Sequence, residues 1–317
     1  MPLGKPLLAA LDRMGHGGLV LDTAGQVIRP IRSIAPAILL GAGLTAASAH
    51  VLSANDQFEP RIREAGQTLA MSNAAVAALD PQQRDRLIEF VIGDTLFTLT
   101  HELGHAVISE FQLPVIGREE DAADAFATLA LLHVGSDFAH RVLEDAARGL
   151  LTLAARDVKM GHEPVFYDEH GLDQQRAYQV TCFMVGSDPR GFRTFAEQVK
   201  LPPERQESCR GDHEQAQASW LQLLEPHLRS APPKPSFLDR LLKRPAPVSG
   251  PPEARIDVSY GAASGDLAPY RDVLKTVGLL EIVRDFVVRN FALPRRITLE
   301  AKPAASRTPG GTPGDAG

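Results

Sequence analysis

The chain has 317 residues, of which 44% are hydrophobic and 23% are charged, as is usual for a folded soluble protein. Its net charge of −6 at pH 7 argues against nucleic acid or an anionic membrane surface as a partner. The two cysteines, Cys182 and Cys209, are too few for a thiolate zinc site, and they allow either one disulfide or two buried thiols.

Segment 27–49 has the layout of a secretory signal peptide. Two arginines precede an apolar run that is too short to span a bilayer comfortably, and the motif ASA then matches an A-x-A cleavage site. We therefore predict that 31–49 is a cleaved signal, with no stable membrane span after cleavage, and that 1–30 is an extension, which an early start codon would explain. The alternative is that the apolar run is a buried helix. Export to the periplasm, or secretion, would favour a disulfide between Cys182 and Cys209.

The middle of the chain, residues 50–232, predicts a helical domain. Asp80 suits a helix N-cap, and it is followed by a proline at the first helical position and by Gln83 at the capping-box position. The apolar helical spacing then continues to Leu113, which precedes a proline and therefore avoids the helical region. The remaining predicted elements are helices from Glu119, at 136–155 and within 192–227, and a weak strand at 178–185.

The string HELGH at 101–105 is the strongest chemical signal in the chain. Residues four apart on a helix share a face, so His101 and His105 can direct both imidazoles to one zinc ion. Glu102 lies one position round the helix, where it can take a proton from a water without binding the metal itself. The flanking residues are uncharged, as a largely buried helix requires. The alternative is that both histidines are core or capping residues.

The segment GREEDAAD at 117–124 offers the third protein ligand that a catalytic zinc needs. Its acids lie just beyond a short turn, where they either meet a cation or compensate the dipole of a helix N-terminus. Glu120 and Asp124 are four apart and share a face. We predict Glu120 as the zinc ligand and Asp124 as the acceptor for the spare ring nitrogen of His101. Glu119 is the alternative metal ligand.

The C-terminal part of the chain has three sections of different composition. Residues 233–254 are rich in proline and predict a linker. Residues 255–302 carry strand, helix and strand patterns, which predict a small α/β module that docks on the main domain or belongs to a larger unit. Residues 303–317 are rich in Pro, Gly and Ala, and we expect a disordered tail.

HELGH followed by ExxxD on a second helix resembles the gluzincins, the thermolysin-like zinc peptidases. The resemblance implies a zincin-like, mainly helical domain in which Glu120 is the third ligand and Asp124 its outer partner. The strings HELGHAVISEF, LPVIGREEDAADAFA, DEHGLDQQRAYQVTCFMVGSDP and LPPERQESC are similar to a bacterial family of metallopeptidases of unknown function, over about 60–230. In those relatives the module at 255–302 continues into a cysteine-containing stretch, which implies that it is truncated here.

Thermolysin-like enzymes also need a hydrogen-bond donor for the oxyanion of the tetrahedral intermediate. Tyr167 and His170 both offer one, and we predict His170, oriented by Asp168 or Asp173. A polar surface turn is the alternative interpretation of this stretch. Arg176 is expected to be structural and to pair with an acid of the site.

These patterns predict a zinc-dependent metallopeptidase that hydrolyses peptide or protein substrates, with Zn²⁺ held by the histidine pair and Glu120 and with Glu102 as general base. The rival hypothesis is a non-catalytic, zinc-stabilised binding or envelope-assembly protein. A fourth protein ligand from Glu119 or Asp124 would support that rival, because structural zinc sites are usually closed by four protein ligands. The patterns predict no particular oligomeric state.

Overall fold

A computed structural model of the protein describes residues 55–228 and 256–301. The helices, in chain order, are α1 (Asn55–Ser72), α2 (Ala74–Ala77), α3 (Pro81–Phe111), α4 (Glu119–Val134), α5 (Asp137–Met160), α6 (Asp173–Ser187), α7 (Arg193–Gln198), α8 (Pro203–Leu224), α9 (Ala268–Val277) and α10 (Leu279–Asn290). The strands are β1 (Ile256–Tyr260) and β2 (Ile297–Ala301), and short 3-10 turns cover Glu225–His227 and Gly265–Leu267. The predicted fold class, mainly helical with a small α/β module near the C-terminus, is confirmed.

Several predicted segments lie outside the described residues. They are the extension at 1–30, the signal segment at 31–49, the linker at 233–254 and the tail at 303–317. These four assignments, and the domain boundaries drawn from them, stay predictions. Among the helices of 55–228 and 256–301, none combines the length and the apolar character that crossing a membrane requires.

The long helix α3 begins and ends where the sequence predicts. The Asp80 carboxylate accepts a hydrogen bond from the backbone N–H of Gln83 at 2.8 Å, and the Gln83 side chain accepts one from the N–H of Asp80 at 3.3 Å. This capping box satisfies two donors at the helix N-terminus. At the other end Gln112 adopts a left-handed conformation, with φ of 51°, which ends the helix at Phe111, two residues before Leu113.

Helices α3 and α4 approach each other closely at the HELGH motif. An ideal Cβ atom on Gly104 would lie 3.0 Å from Cα and 3.2 Å from Cβ of Ala123 on α4, so only glycine fits there without displacing a neighbour. Earlier on α3, Phe90 and Ile92 are almost completely buried in the core. The glycine within HELGH therefore brings the first turns of α4 against the histidine pair.

Helix α6 packs against α4, α5 and α8. Residues 178–185 belong to this helix, so the weak strand predicted there is wrong. The reason is that α6 is enclosed on several sides, with the whole run 180–186 buried, so its apolar residues do not show a one-sided helical spacing. Cys182 of α6 forms a disulfide with Cys209 of α8 and fastens the two helices together.

The C-terminal module pairs β1 with β2 in parallel, with Ile256 opposite Ile297. The sequence pattern predicts one helix between the strands, but that helix is divided at Gly278, whose φ of 73° ends α9 before α10 begins. The module docks on the helical domain: Arg61 of α1 donates a hydrogen bond to the carbonyl of Val277 at 3.1 Å, and Arg295 donates to the Glu110 carboxylate at 2.7 Å.

Candidate metal centre

His101 and His105 lie on one face of α3 and turn their Nε2 atoms toward each other, 3.2 Å apart. The Glu120 side chain reaches them from the first turn of α4. Its Oε2 atom is 3.1 Å from His101 Nε2 and 3.3 Å from His105 Nε2. The structure thus brings together the three side chains that the sequence singles out as candidate metal ligands.

These three atoms form a triangle of the size that a zinc ion requires. Ligand atoms about 2.0–2.1 Å from a tetrahedral zinc lie about 3.3 Å from one another. The three measured separations, between 3.1 and 3.3 Å, agree with that value. Without a cation, two ring nitrogens and a carboxylate oxygen at this spacing must share protons, so the donor set fits a bound metal.

The ring nitrogen of His101 that faces away from the cluster, Nδ1, is bound by the carboxylate of Asp124, and that carboxylate is bound in turn by the guanidinium of Arg176. Asp124 accepts a hydrogen bond from His101 Nδ1 at 2.8 Å, which leaves Nε2 free to bind a metal. Arg176 of α6 donates to both oxygens of Asp124, at 2.7 and 2.9 Å. Burial by itself would raise the pKa of Asp124, but the hydrogen bonds from Arg176 and His101 hold this pKa at about 2. Asp124 is therefore a carboxylate at all ordinary pH values.

His105 has an equivalent arrangement on its solvent side. Its Nδ1 atom is 2.9 Å from Oε1 of Glu119, so the residue predicted as an alternative metal ligand lies on the far side of the ring from the candidate site. Burial opposes protonation of His105, but the hydrogen bond to Glu119 and the charges of Glu120 and Glu102 outweigh it and raise the pKa. Glu119 and Glu120 serve different nitrogens because consecutive residues lie about 100° apart on a helix.

Glu102 is partly buried beside the two histidines. Burial raises its pKa above the ordinary value, an effect that the neighbouring charge of Glu120 strengthens and that nearby His101 and His105 oppose. A carboxylate with a raised pKa is a better proton acceptor near neutral pH than an exposed one. Its position beside the cluster suits a general base.

His170 comes to the cluster from the loop that joins α5 to α6. Its Nε2 atom lies 2.8 Å from Glu120 Oε2, and its ring stacks on His101 with centroids 6.1 Å apart. The ligand atoms of His101, Glu120 and His170 all lie within 4.8 Å of one another, so these three side chains also form a possible metal-binding group. Asp168 accepts a hydrogen bond from the backbone N–H of His170 at 2.9 Å and is 3.4 Å from its Nδ1.

Two further residues were predicted near His170, namely Asp173 and Tyr167. Asp173, the other predicted partner of His170, has a carboxylate oxygen 4.0 Å from Arg176 Nη1, and Tyr167 is 91% exposed on the loop. Sequence reasoning missed the contact between His170 and Glu120 and the pairing of Glu119 with His105 Nδ1. The pairing of Glu119 with His105 could have been inferred from the spacing, because Glu119 precedes Glu120 on the same helical turn.

A comparison with protein families identifies one match. The sequence model of the family DUF4344, described as "Putative metallopeptidase", matches residues 38–224. That range contains every residue of the candidate metal centre and the disulfide. No curated protein and no solved structure matches the chain.

Proposed function

The chain belongs to the family DUF4344, whose description is "Putative metallopeptidase", and on that premise we propose that it hydrolyses peptide bonds with a zinc ion held by His101, His105 and Glu120. The observation that carries the proposal is the triangle of two Nε2 atoms and one carboxylate oxygen with sides of 3.1–3.3 Å. The family assignment implies peptide or protein substrates. When bound, zinc would acidify a water molecule and polarise a peptide carbonyl.

Glu102 is the proposed general base. It takes one proton from the attacking water, whose oxygen forms a bond to the carbonyl carbon of the scissile peptide. Glu102 then returns that proton to the leaving nitrogen as the C–N bond breaks, so the products are a carboxylate and an amine. His170 is the proposed donor to the oxyanion, supported by its position against Glu120 at the exposed side of the cluster.

Asp124, Glu119 and Arg176 are proposed to position the ligands. Asp124 and Glu119 hold the Nδ1 atoms of His101 and His105, which keeps the proton on that nitrogen and leaves each Nε2 available. Arg176 fixes both oxygens of Asp124 and neutralises its buried charge. Removing such a contact usually weakens metal binding by 10- to about 100-fold.

One observation favours the non-catalytic alternative, in which zinc only stabilises a binding or envelope-assembly protein. His170 offers a nitrogen next to Glu120, so the protein can supply four ligands, as structural zinc sites usually do. The fourth ligand considered from the sequence, Glu119 or Asp124, is engaged with a histidine Nδ1 instead. The location of His170 on an exposed loop supports the catalytic proposal over this one.

We also propose that the protein is exported to the periplasm or secreted. The disulfide between Cys182 and Cys209 supports this, because disulfides persist in oxidising compartments and are rare in the cytosol. N-terminal sequencing of the mature protein tests the proposal. A start just after residue 49 is expected, and a mature protein that retains Met1 would contradict it.

Hydrolysis is tested without knowing the substrate by offering a mixture of peptides of diverse sequence in ¹⁸O-enriched water. The zinc-loaded full chain is expected to cleave peptide bonds and to place one ¹⁸O atom in each new carboxyl terminus, read by mass spectrometry. A metal chelator should abolish cleavage, and Glu102→Gln should reduce it by 10²- to about 10⁴-fold. Glu89→Gln is the matched control, because Glu89 lies on the same helix as Glu102 and pairs with Arg86 and with Arg141 of α5. A protein that binds zinc but cleaves none of the peptides would favour the non-catalytic alternative.

A further inference from the structure

The three histidines of the cluster share one arrangement. Each directs Nε2 toward the same oxygen of Glu120 and has a carboxylate beside Nδ1. The pairs are His101 with Asp124 at 2.8 Å, His105 with Glu119 at 2.9 Å, and His170 with Asp168 at 3.4 Å. A carboxylate on the far nitrogen is the usual environment of a metal-binding histidine. By this criterion His170 resembles a ligand, although its contact with Asp168 is longer than those of the two helical histidines.

His170 lies on a loop, whereas the other two histidines lie on a helix. His101 and His105 are fixed on the buried helix α3, whereas His170 belongs to the loop Gly161–Leu172, in which residues 161–170 are all exposed. Phe166 on this loop is 80% exposed, so its aromatic ring does not anchor the loop in the core. A loop with so few buried apolar contacts opens at low free-energy cost.

The loop packs closely against the domain at the residue after His170. An ideal Cβ on Gly171 would lie 3.3 Å from Arg118 Nη2 and 3.6 Å from Arg176 Cγ, so Gly171 is packed between the segment before α4 and helix α6. His170 is the residue directly before this fixed point. Its imidazole can therefore leave the cluster by rotation near Gly171 without disturbing α3 or α4.

We propose that His170 is a fourth, displaceable ligand of the metal. This inference rests on the proposed function and adds a resting state to it. In that state Nε2 of His170 occupies the position that a catalytic site keeps open for water. Entry of a substrate or water requires Nε2 of His170 to leave this position, and the oxyanion-donor role of His170 begins once its imidazole has moved from the metal to the side of the incoming carbonyl.

The first test measures metal binding rather than activity. The full chain, His170→Ala and the control His162→Ala are compared by chelator competition for Zn²⁺ and by the visible spectrum after Co²⁺ substitution. His162 is a second histidine of the same loop, paired with Asp157 and away from Glu120. Loss of a ligand should weaken zinc binding by His170→Ala at least about tenfold, change the Co²⁺ spectrum, and allow added imidazole to restore it. His162→Ala should match the wild type.

The second test asks whether the ligand can be displaced. Acetohydroxamate, a small metal-binding anion, should bind the Co²⁺-substituted wild type, and should bind His170→Ala about tenfold or more tightly, because only the wild type must first release His170. Equal hydroxamate affinity, or an unchanged Zn²⁺ affinity and Co²⁺ spectrum in His170→Ala, would overturn the inference. Hydroxamate binding only to the variant would overturn displaceability.

Failure of the inference is distinguishable from failure of the proposed function. If the wild type binds one zinc that Glu120→Ala loses, and His170→Ala behaves as the wild type does, the three-ligand site stands and only the role of His170 falls. If the wild type binds no zinc, or if Glu120→Ala retains it, the proposed metal site falls, and the inference falls with it.

Discussion

Replacing Asp124 by asparagine removes the charge that links His101 to Arg176. The difference between the ordinary pKa of 3.8 and the value of about 2 corresponds to about 2.5 kcal/mol of folding stability at pH 7. Because the folded-state pKa is depressed, this contribution is present above pH 3.8 and is lost as the pH falls through 2. Asp124→Asn should therefore lower the free energy of unfolding of the metal-free protein by at least about 2.5 kcal/mol at pH 7.

The same substitution should weaken zinc binding by 10- to about 100-fold. An asparagine amide can place an N–H against His101 Nδ1, which favours the tautomer that carries its proton on Nε2 and cannot bind the metal. The two readouts are urea unfolding in the presence of a chelator and zinc competition at pH 7.

Asp121→Asn is the matched control, because Asp121 lies on the same helix and forms only an exposed pair with Arg118. It should change stability by no more than about 0.5 kcal/mol and leave zinc binding unchanged. If Asp124→Asn loses stability but keeps its zinc affinity, Asp124 does not position His101 for the metal. If its free energy of unfolding falls by less than about 1 kcal/mol, the ion pair between Asp124 and Arg176 does not stabilise the fold as proposed.

Three further predictions concern substitutions of Glu102, Gly104 and Asp94. Glu102→Gln should retain zinc and lose activity by 10²- to about 10⁴-fold in a peptide-cleavage assay, and full activity would remove Glu102 from the mechanism. Gly104→Ala should cost about 1–3 kcal/mol in thermal or urea unfolding and weaken zinc binding, because the new methyl group pushes α4 away at Ala123. Burial and the charge of Asp145 raise the pKa of Asp94 to about 6, and the charge of Arg176 opposes this rise only in part. The contribution of Asp94 to folding stability is therefore full below pH 3.8 and is lost as the pH rises through 6. Asp94→Asn should therefore be more stable than the wild type at pH 8, by at most about 3 kcal/mol, and this advantage should vanish near pH 4 in urea unfolding.

Features that depend on local chemistry were predictable from the sequence. Asp80, its following proline and Gln83 define the start of α3 through contacts within one turn. The four-residue spacing of His101 and His105, and of Glu120 and Asp124, places each pair on one face whatever the tertiary packing.

Features that depend on tertiary packing were not predictable in this way. Segment 178–185 has the pattern of a weak strand because a helix enclosed on several sides, with the run 180–186 buried, loses its apolar periodicity. The contact of His170 with Glu120 spans 50 residues and depends on how a loop returns to the domain at Gly171. Which of two adjacent glutamates faces the cluster depends on the rotation of α4 about its axis, and this rotation is set by its packing at Gly104.

The central claim is tested most directly by the metal content of the purified full chain. Wild type, Glu120→Ala and Asp121→Ala are loaded with excess zinc, freed of unbound metal and measured by elemental analysis. Asp121 is the control because its carboxylate points to Arg118 on the surface. The account predicts one zinc per chain in the wild type and in Asp121→Ala, and its loss in Glu120→Ala. A folded wild type without zinc, or equal zinc in all three proteins, would contradict it.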